Sequence, residues 1–203
     1  MGPEPSAPGA GRRRRGLLVG VAVVGIAAAV LGIRVATHGP ALLGAGGTDT
    51  ISFGAALNAT RADTDYVFGG VNLCVDGDAP VQILAVRPTR PVNGFRVTGF
   101  ATATRSSSHP DFFGAGPGGL RSNGFDPDRH AVATRCGAAA EPTELLVQVR
   151  RPAGPADTAC AAGLSITYSS ARGGTRRFDI APVLALAAPG DSSAADRCEP
   201  ATP

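Results

Sequence analysis

The chain contains no tryptophan and no lysine, a single methionine, two tyrosines and three histidines. Each shortage removes a kind of chemistry. Without Trp, the Cys-Trp-Cys core of a true immunoglobulin domain is absent. Met1 stands alone, and His38, His109 and His130 lack ligand spacing, so copper and haem have no ligand set and no cofactor is expected. None of the four cysteines forms a C-x-x-C or stands close to a histidine, which removes the zinc pattern. No Gly-x-Ser-x-Gly elbow is present, and the glycine-rich run 114–119 has neither a following Lys nor a strand-to-helix setting, so it is a loop and not a phosphate cradle.

One long apolar run is present. From Gly16 to Ile33 every residue is Gly, Ala, Val, Leu or Ile, and at helical rise this spans about 27 Å, the thickness of a bilayer core. Arg12 to Arg15 precede it and Arg34 alone follows, so the positive-inside bias places the N-terminus in the cytoplasm and exports the rest. A cleaved signal peptide, with Ala27-Ala28-Ala29 as the processing site, is the rival reading and exports the same domain. The small-xxx-small pairs in the run follow from its composition. The resulting division is a short basic tail at 1–15, a transmembrane helix at 16–33, a flexible linker at 34–47, a folded domain at 48–188 and a polar tail at 189–203. So short an inner tail suits a tether better than a signalling receptor.

The net charge of +3 comes from that N-terminal flank. From Val35 onward fourteen Arg face fifteen Asp and Glu, a near balance that gives no basic face for nucleic acid. The four cysteines, Cys74, Cys136, Cys160 and Cys198, all lie on the exported side, where an even number points to disulfides. Sequence permits three connectivities. The preferred one joins Cys74 to Cys136 and Cys160 to Cys198, each closed loop being worth about 4 kcal/mol in the chain-entropy model.

Beyond the linker the pattern is that of strands between turns. Strand signals fall at Thr50–Phe53, at Asp65–Cys74 with a bulge at Gly69-Gly70, and at Val81–Val86. Asn93-Gly94 is a turn leading into Phe95–Arg105, where Phe95, Val97, Gly99, Ala101 and Ala103 alternate onto one face. Further strands are expected at His130–Cys136, Glu144–Arg150, Leu164–Ser170 and Thr175–Leu186. Seven to eight short strands with no amphipathic helix predict an all-β antiparallel sandwich, immunoglobulin-like in strand count only.

Residues 106–129 form a loop long enough to carry function. It holds His109, Phe112, Phe113 and Phe125, a candidate partner-binding set, although the phenylalanines also suit a cap folded back on the sandwich. Ser106 to Ser108 with His109 or His130 give the alternative of a small envelope hydrolase. The Asp-x-Asp pairs, Asp126 and Asp128 among them, give a calcium- or carbohydrate-binding alternative, yet they lack the closing Glu of an EF-hand loop and read as turn residues. Asn58-Ala59-Thr60 is a formal glycosylation sequon expected to be unmodified.

The all-Arg, Ala-, Gly- and Pro-rich usage has the bias of a GC-rich genome. At Leu73-Cys74-Val75, at Arg87-Pro88-Thr89-Arg90-Pro91 with Phe95-Arg96-Val97-Thr98-Gly99-Phe100, and at Glu144 to Arg150, the chain resembles actinobacterial membrane-anchored extracytoplasmic proteins of no known activity. The resemblance implies a compartment and a β fold, and assigns no catalytic residue. The expectation is therefore a non-catalytic, membrane-tethered interaction or structural module whose partners are the membrane and another envelope protein.

Overall fold

Runs of Val, Ile, Leu and aromatics bounded by Gly, Pro and Asn become strands throughout the domain. The computed structural model describes residues 40–44, 54–58, 63–104, 115–137, 141–150, 158–170, 174–188, 191, 193 and 198. Among these, eleven strands form in chain order: β1 Ala41–Gly44, β2 Gly54–Asn58, β3 Asp65–Asp76, β4 Val81–Pro88, β5 Pro91–Val92, β6 Arg96–Thr104, β7 Ala115–Pro117, β8 Ala131–Val132, β9 Thr143–Arg150, β10 Ala159–Ser170 and β11 Thr175–Ala187. The expected strand at 50–53 and the apolar run at 16–33 lie outside the described residues. Among the described residues no helix is long and apolar enough to cross a membrane.

The protein is all-β, in two curled sheets. The first has the order β1-β3-β9-β6, with β7 also on β3; the second has the order β2-β11-β10-β4-β8, with β5 also on β10. Pairing is antiparallel except between β2 and β11, which run parallel, and at an isolated parallel bridge from Val75 to Arg135. Phe68, Leu73, Leu145 and Val147 of the first sheet meet Ile83, Ile166, Phe178 and Leu184 of the second in one central core. Each such side chain, taken fully out of water, stabilises the fold by about 1.5–3 kcal/mol.

Two bulges decide which side chains enter this core. Between Phe68 and Val71 the β3–β9 register shifts at the expected Gly69-Gly70 position, so residues three apart both face inward. Gly70, at φ 91°, gives its N–H to Glu144 Oε1 at 2.6 Å. The second bulge overturns an expectation. The β6–β9 register shifts between Val97 and Gly99, so Phe95, Val97 and Phe100 contribute to the central core while Ala101 and Ala103 turn to the opposite face. A single uninterrupted alternation over 95–105 is therefore incorrect, because the extra residue at Thr98 exchanges the two faces.

Both outer sheet faces carry a smaller core. Val67, Ala101 and Leu146 on the first sheet are covered by Leu120 and Phe125. Val183, Ala185 and Ala187 on the second pack with Cys160 and Cys198. Covered outer faces explain why β3, β9 and β10 read as continuous apolar runs in places, with no clean alternation.

The linker expected over 34–47 also needs correction. Residues 41–44 are strand β1, paired to β3 with Leu42 opposite Val75, and Leu42 is 2% exposed. Its short Ala-Leu-Leu-Gly sequence carries too little periodicity to announce a strand; burial of Leu42 and pairing with β3 make it one. The folded unit thus begins at Pro40, not at 48.

Candidate functional site

The site predicted over 106–129 is built from its root upward. β7 pairs Tyr66 with Pro117 and Val67 with Gly116, laying the chain along β3. Gly118 turns at φ 96° and donates its N–H to the Asp65 carbonyl at 2.7 Å. Gln148, an outward polar residue of β9, accepts from Leu120 N–H at 2.9 Å through Oε1 and donates through Nε2 to Thr98 Oγ1 at 3.3 Å. Gly119 lies so near that an added Cβ would stand 3.0 Å from Gln148 Oε1. A 3₁₀ turn, Arg121–Asn123, follows and ends at Gly124 with φ 83°. The Leu120 carbonyl accepts from both Asn123 and Phe125 N–H, at 3.1 and 3.0 Å. These bonds hold Leu120 and Phe125 down on the first sheet.

Phe125 is consequently not an exposed docking aromatic. It is 8% exposed and packs with Val67, Ala101 and Leu146, so its place is in an outer core, and the reading that folds phenylalanine back onto the sandwich holds for this residue. His109, Phe112 and Phe113 lie outside the described residues, as do Ser106 to Ser108.

Asp126 and Asp128 are explained by a turn. Asp126 Oδ1 accepts from Asp128 N–H at 3.0 Å and the Asp126 carbonyl accepts from Arg129 N–H at 3.2 Å. Among the described residues no group of three or more His, Cys, Asp or Glu is gathered closely enough to hold a metal ion. His130 supports its neighbours: Nε2 is 2.7 Å from the Pro127 carbonyl, which requires a proton on that nitrogen, and the ring lies 4.4 Å from that of Phe100, tilted by 31°.

Charge is arranged in exposed pairs. Arg150 forks onto Asp65, Nε to Oδ1 at 2.8 Å and Nη2 to Oδ2 at 3.1 Å. This hydrogen bond, then the charge of Asp65, and with a smaller contribution from Asp63, raise the Arg150 pKa above its ordinary value. Arg96 stands opposite Arg150 in the ladder, and the Asp65 fork offsets that like-charge contact. On the second sheet Asp179 is held below the usual carboxylate range, first by its hydrogen bond with Arg177 and also by one from Ser165. A shallow cleft of about 260 Å³ is lined by Pro80, Val81, Gln82, Ala131, Ser169 and Ser170, none of them titratable.

Both preferred disulfides are present: Cys74 with Cys136 and Cys160 with Cys198. Each fixes an irregular segment to a strand. Cys136 ties the chain after β8 to β3, and Cys198 ties the C-terminal segment to β10. That segment has a second attachment, because Thr158 Oγ1 donates to Asp191 Oδ2 while accepting from Ala188 N–H at 3.1 Å. Two such bonds fit an oxidising compartment outside the cytoplasm.

No protein-family model matches the chain, and no curated protein matches it. The residue that sequence reasoning passed over is Gln148, which organises the loop root. Its signal was visible as a polar amide at an outward position of the otherwise apolar run 145–149.

Proposed function

We propose that the chain is a non-catalytic, membrane-tethered β-sandwich held outside the cytoplasm, which presents the segment between β6 and β7 to another protein of the cell envelope. The observation that carries this reading is the fixed root of that segment. On one side Thr104 ends β6 and accepts a hydrogen bond from Arg129 Nη2 at 2.9 Å. On the other, β7, Gln148, Leu120 and Phe125 fasten the chain to the first sheet. A loop whose ends are set by a rigid scaffold is the usual way a β-sandwich displays contact residues. Phe112 and Phe113 lie between those ends in sequence and are the proposed contacts, with His109 beside them.

Tethering rests on the apolar run at 16–33 and its arginine flank. Only seven residues separate Ile33 from the first strand residue, Ala41, a reach of at most about 28 Å. Export is supported by the two disulfides. The test is crosslinking in membranes followed by capture of the full chain, comparing wild type with a Phe112→Ala, Phe113→Ala double variant. The reading expects a discrete partner that the double variant loses while its thermal stability is unchanged. An unchanged capture profile in the variant, or no partner under gentle crosslinking, would count against it.

A further inference from the structure

Residues 129–136, which include β8, form a strap that bonds to β6 of the first sheet, to β4 of the second and to the end of β3. The Arg129 carbonyl accepts from Thr102 N–H of β6 at 2.7 Å, the His130 carbonyl accepts from Ile83 N–H of β4 at 2.9 Å, and the Thr134 carbonyl accepts from Val75 N–H of β3 at 2.9 Å. Thr102 Oγ1 adds a bond to the Ala131 carbonyl at 3.0 Å, and Val132 is completely buried in the central core. The strap therefore satisfies backbone donors on the edge strand β6, on β4, and on the end of β3 beyond its pairing with β9. Beyond Val132 its attachment is thin. Among the described residues it comprises the two backbone bonds with Val75, the contacts of the Thr134 hydroxyl with Glu141 and Thr143, an exposed Arg135–Asp78 ion pair and the Cys74–Cys136 disulfide.

We infer that the Cys74–Cys136 disulfide is a site of thiol–disulfide exchange, a latch that a dithiol reductant opens to release the end of the strap from β3. Two observations set it apart from the other bond. Cys136 is only half-buried, between exposed Arg135 and Gly137, whereas Cys160 and Cys198 are 1% and 7% exposed. Cys74, the buried partner, has its Sγ 3.0 Å from the Gly44 carbonyl, so the thiol formed on reduction meets an acceptor already in place. Reduction would not leave an unsatisfied group inside the protein.

The exchange balances in two steps. A thiolate of the reductant attacks Cys136 Sγ, forming a mixed disulfide and expelling the Cys74 thiolate, which takes up a proton and, as a thiol, donates a hydrogen bond to the Gly44 carbonyl. The second thiol of the reductant then attacks its own sulfur in the mixed disulfide. Cys136 leaves as thiolate and is protonated, and the reductant departs as a disulfide, having given up two electrons and two protons. Loss of this bond frees the strap to leave Val75, while Val132 and the Ile83 bond retain its other half.

The experiment uses the full chain in detergent micelles, reduced stepwise with dithiothreitol. Alkylation and peptide mass spectrometry follow each disulfide, and hydrogen exchange follows the Val75, Ile166 and Phe178 amides. Cys74–Cys136 is expected to open about tenfold faster or more than Cys160–Cys198, as access to the attacked sulfur dictates. Val75 should lose protection at that step while Ile166 and Phe178 keep theirs. A Cys74→Ala, Cys136→Ala variant should show the same Val75 exchange without reductant. Equal rates for the two bonds, earlier opening of Cys160–Cys198, or selective opening that leaves Val75 protected would each overturn the proposal.

Discussion

The backbone N–H of Leu42 donates to the hydroxyl of Tyr168 at 3.2 Å, joining β1 of the first sheet to β10 of the second across 126 positions of sequence. Both residues are at most 3% exposed. Replacing Tyr168 with Phe removes the acceptor and leaves a buried donor, which should cost about 1–3 kcal/mol. Leu42→Ala should cost about 2–5 kcal/mol through the lost side chain and the cavity behind it. Urea unfolding of the two variants checks both values; a Leu42→Ala protein as stable as wild type would return residues 41–44 to the status of a linker.

Phe125→Ala should destabilise the protein by about 3 kcal/mol or more, since a buried aromatic is removed from a packed outer core. An exposed docking residue replaced by Ala would cost little. Gln148→Ala should release Leu120 N–H from its acceptor and lower stability by about 1–3 kcal/mol. Proteolysis within 115–125 should accelerate in the same variant, and the measurement is the rate of cleavage there under native conditions.

The pH dependence has a definite sign at Asp179. Its hydrogen bond with Arg177 lowers its folded-state pKa below the ordinary value, so between the two values the unfolded chain binds more protons. The contribution is complete above the unfolded pKa and disappears as pH falls through the folded one. The pair is exposed, so its size is less than about 1 kcal/mol. Asp179→Asn should therefore narrow the loss of stability between pH 5 and pH 2, within roughly that limit, when urea midpoints are compared across the range.

His130→Ala should cost about 1–2 kcal/mol by removing the ring from Phe100 and the donor from the Pro127 carbonyl. Thermal unfolding measures this. If a hydrolase screen of the wild-type chain finds activity, and His130→Ala abolishes it without lowering stability, the structural account of His130 is wrong.

Much of this architecture could be read from local chemistry. The Gly69-Gly70 bulge and the turn at Asn93-Gly94 follow from residue types and their positions, while the two disulfides match the preferred one of three connectivities that the sequence permits. Asn93 and Gly94 do adopt positive φ, at 49° and 72°, as a tight turn of that sequence requires. What the dipeptide could not convey is that the turn changes sheets, since β5 lies in the second sheet and β6 in the first. The same limit applied elsewhere. Thr98 has no local mark of a bulge, so the exchange of faces at Phe100 was hidden, and Leu42 becomes a core residue only because Val75 and Tyr168 are brought to it. For the candidate site, Phe125 was recognisable as a loop aromatic, but its burial depends on Val67, Ala101 and Leu146, which come together only in the folded sheet.

The central claim is an exported, tethered module stapled by two disulfides. It is tested most directly by isolating the full-length chain from cells quenched with an alkylating agent, and mapping its four cysteines by mass spectrometry in the membrane and soluble fractions. The account predicts carbonate-resistant protein in the membrane fraction with Cys74–Cys136 and Cys160–Cys198 linked and no alkylated thiol in the resting state. Soluble protein carrying four alkylated cysteines would contradict it.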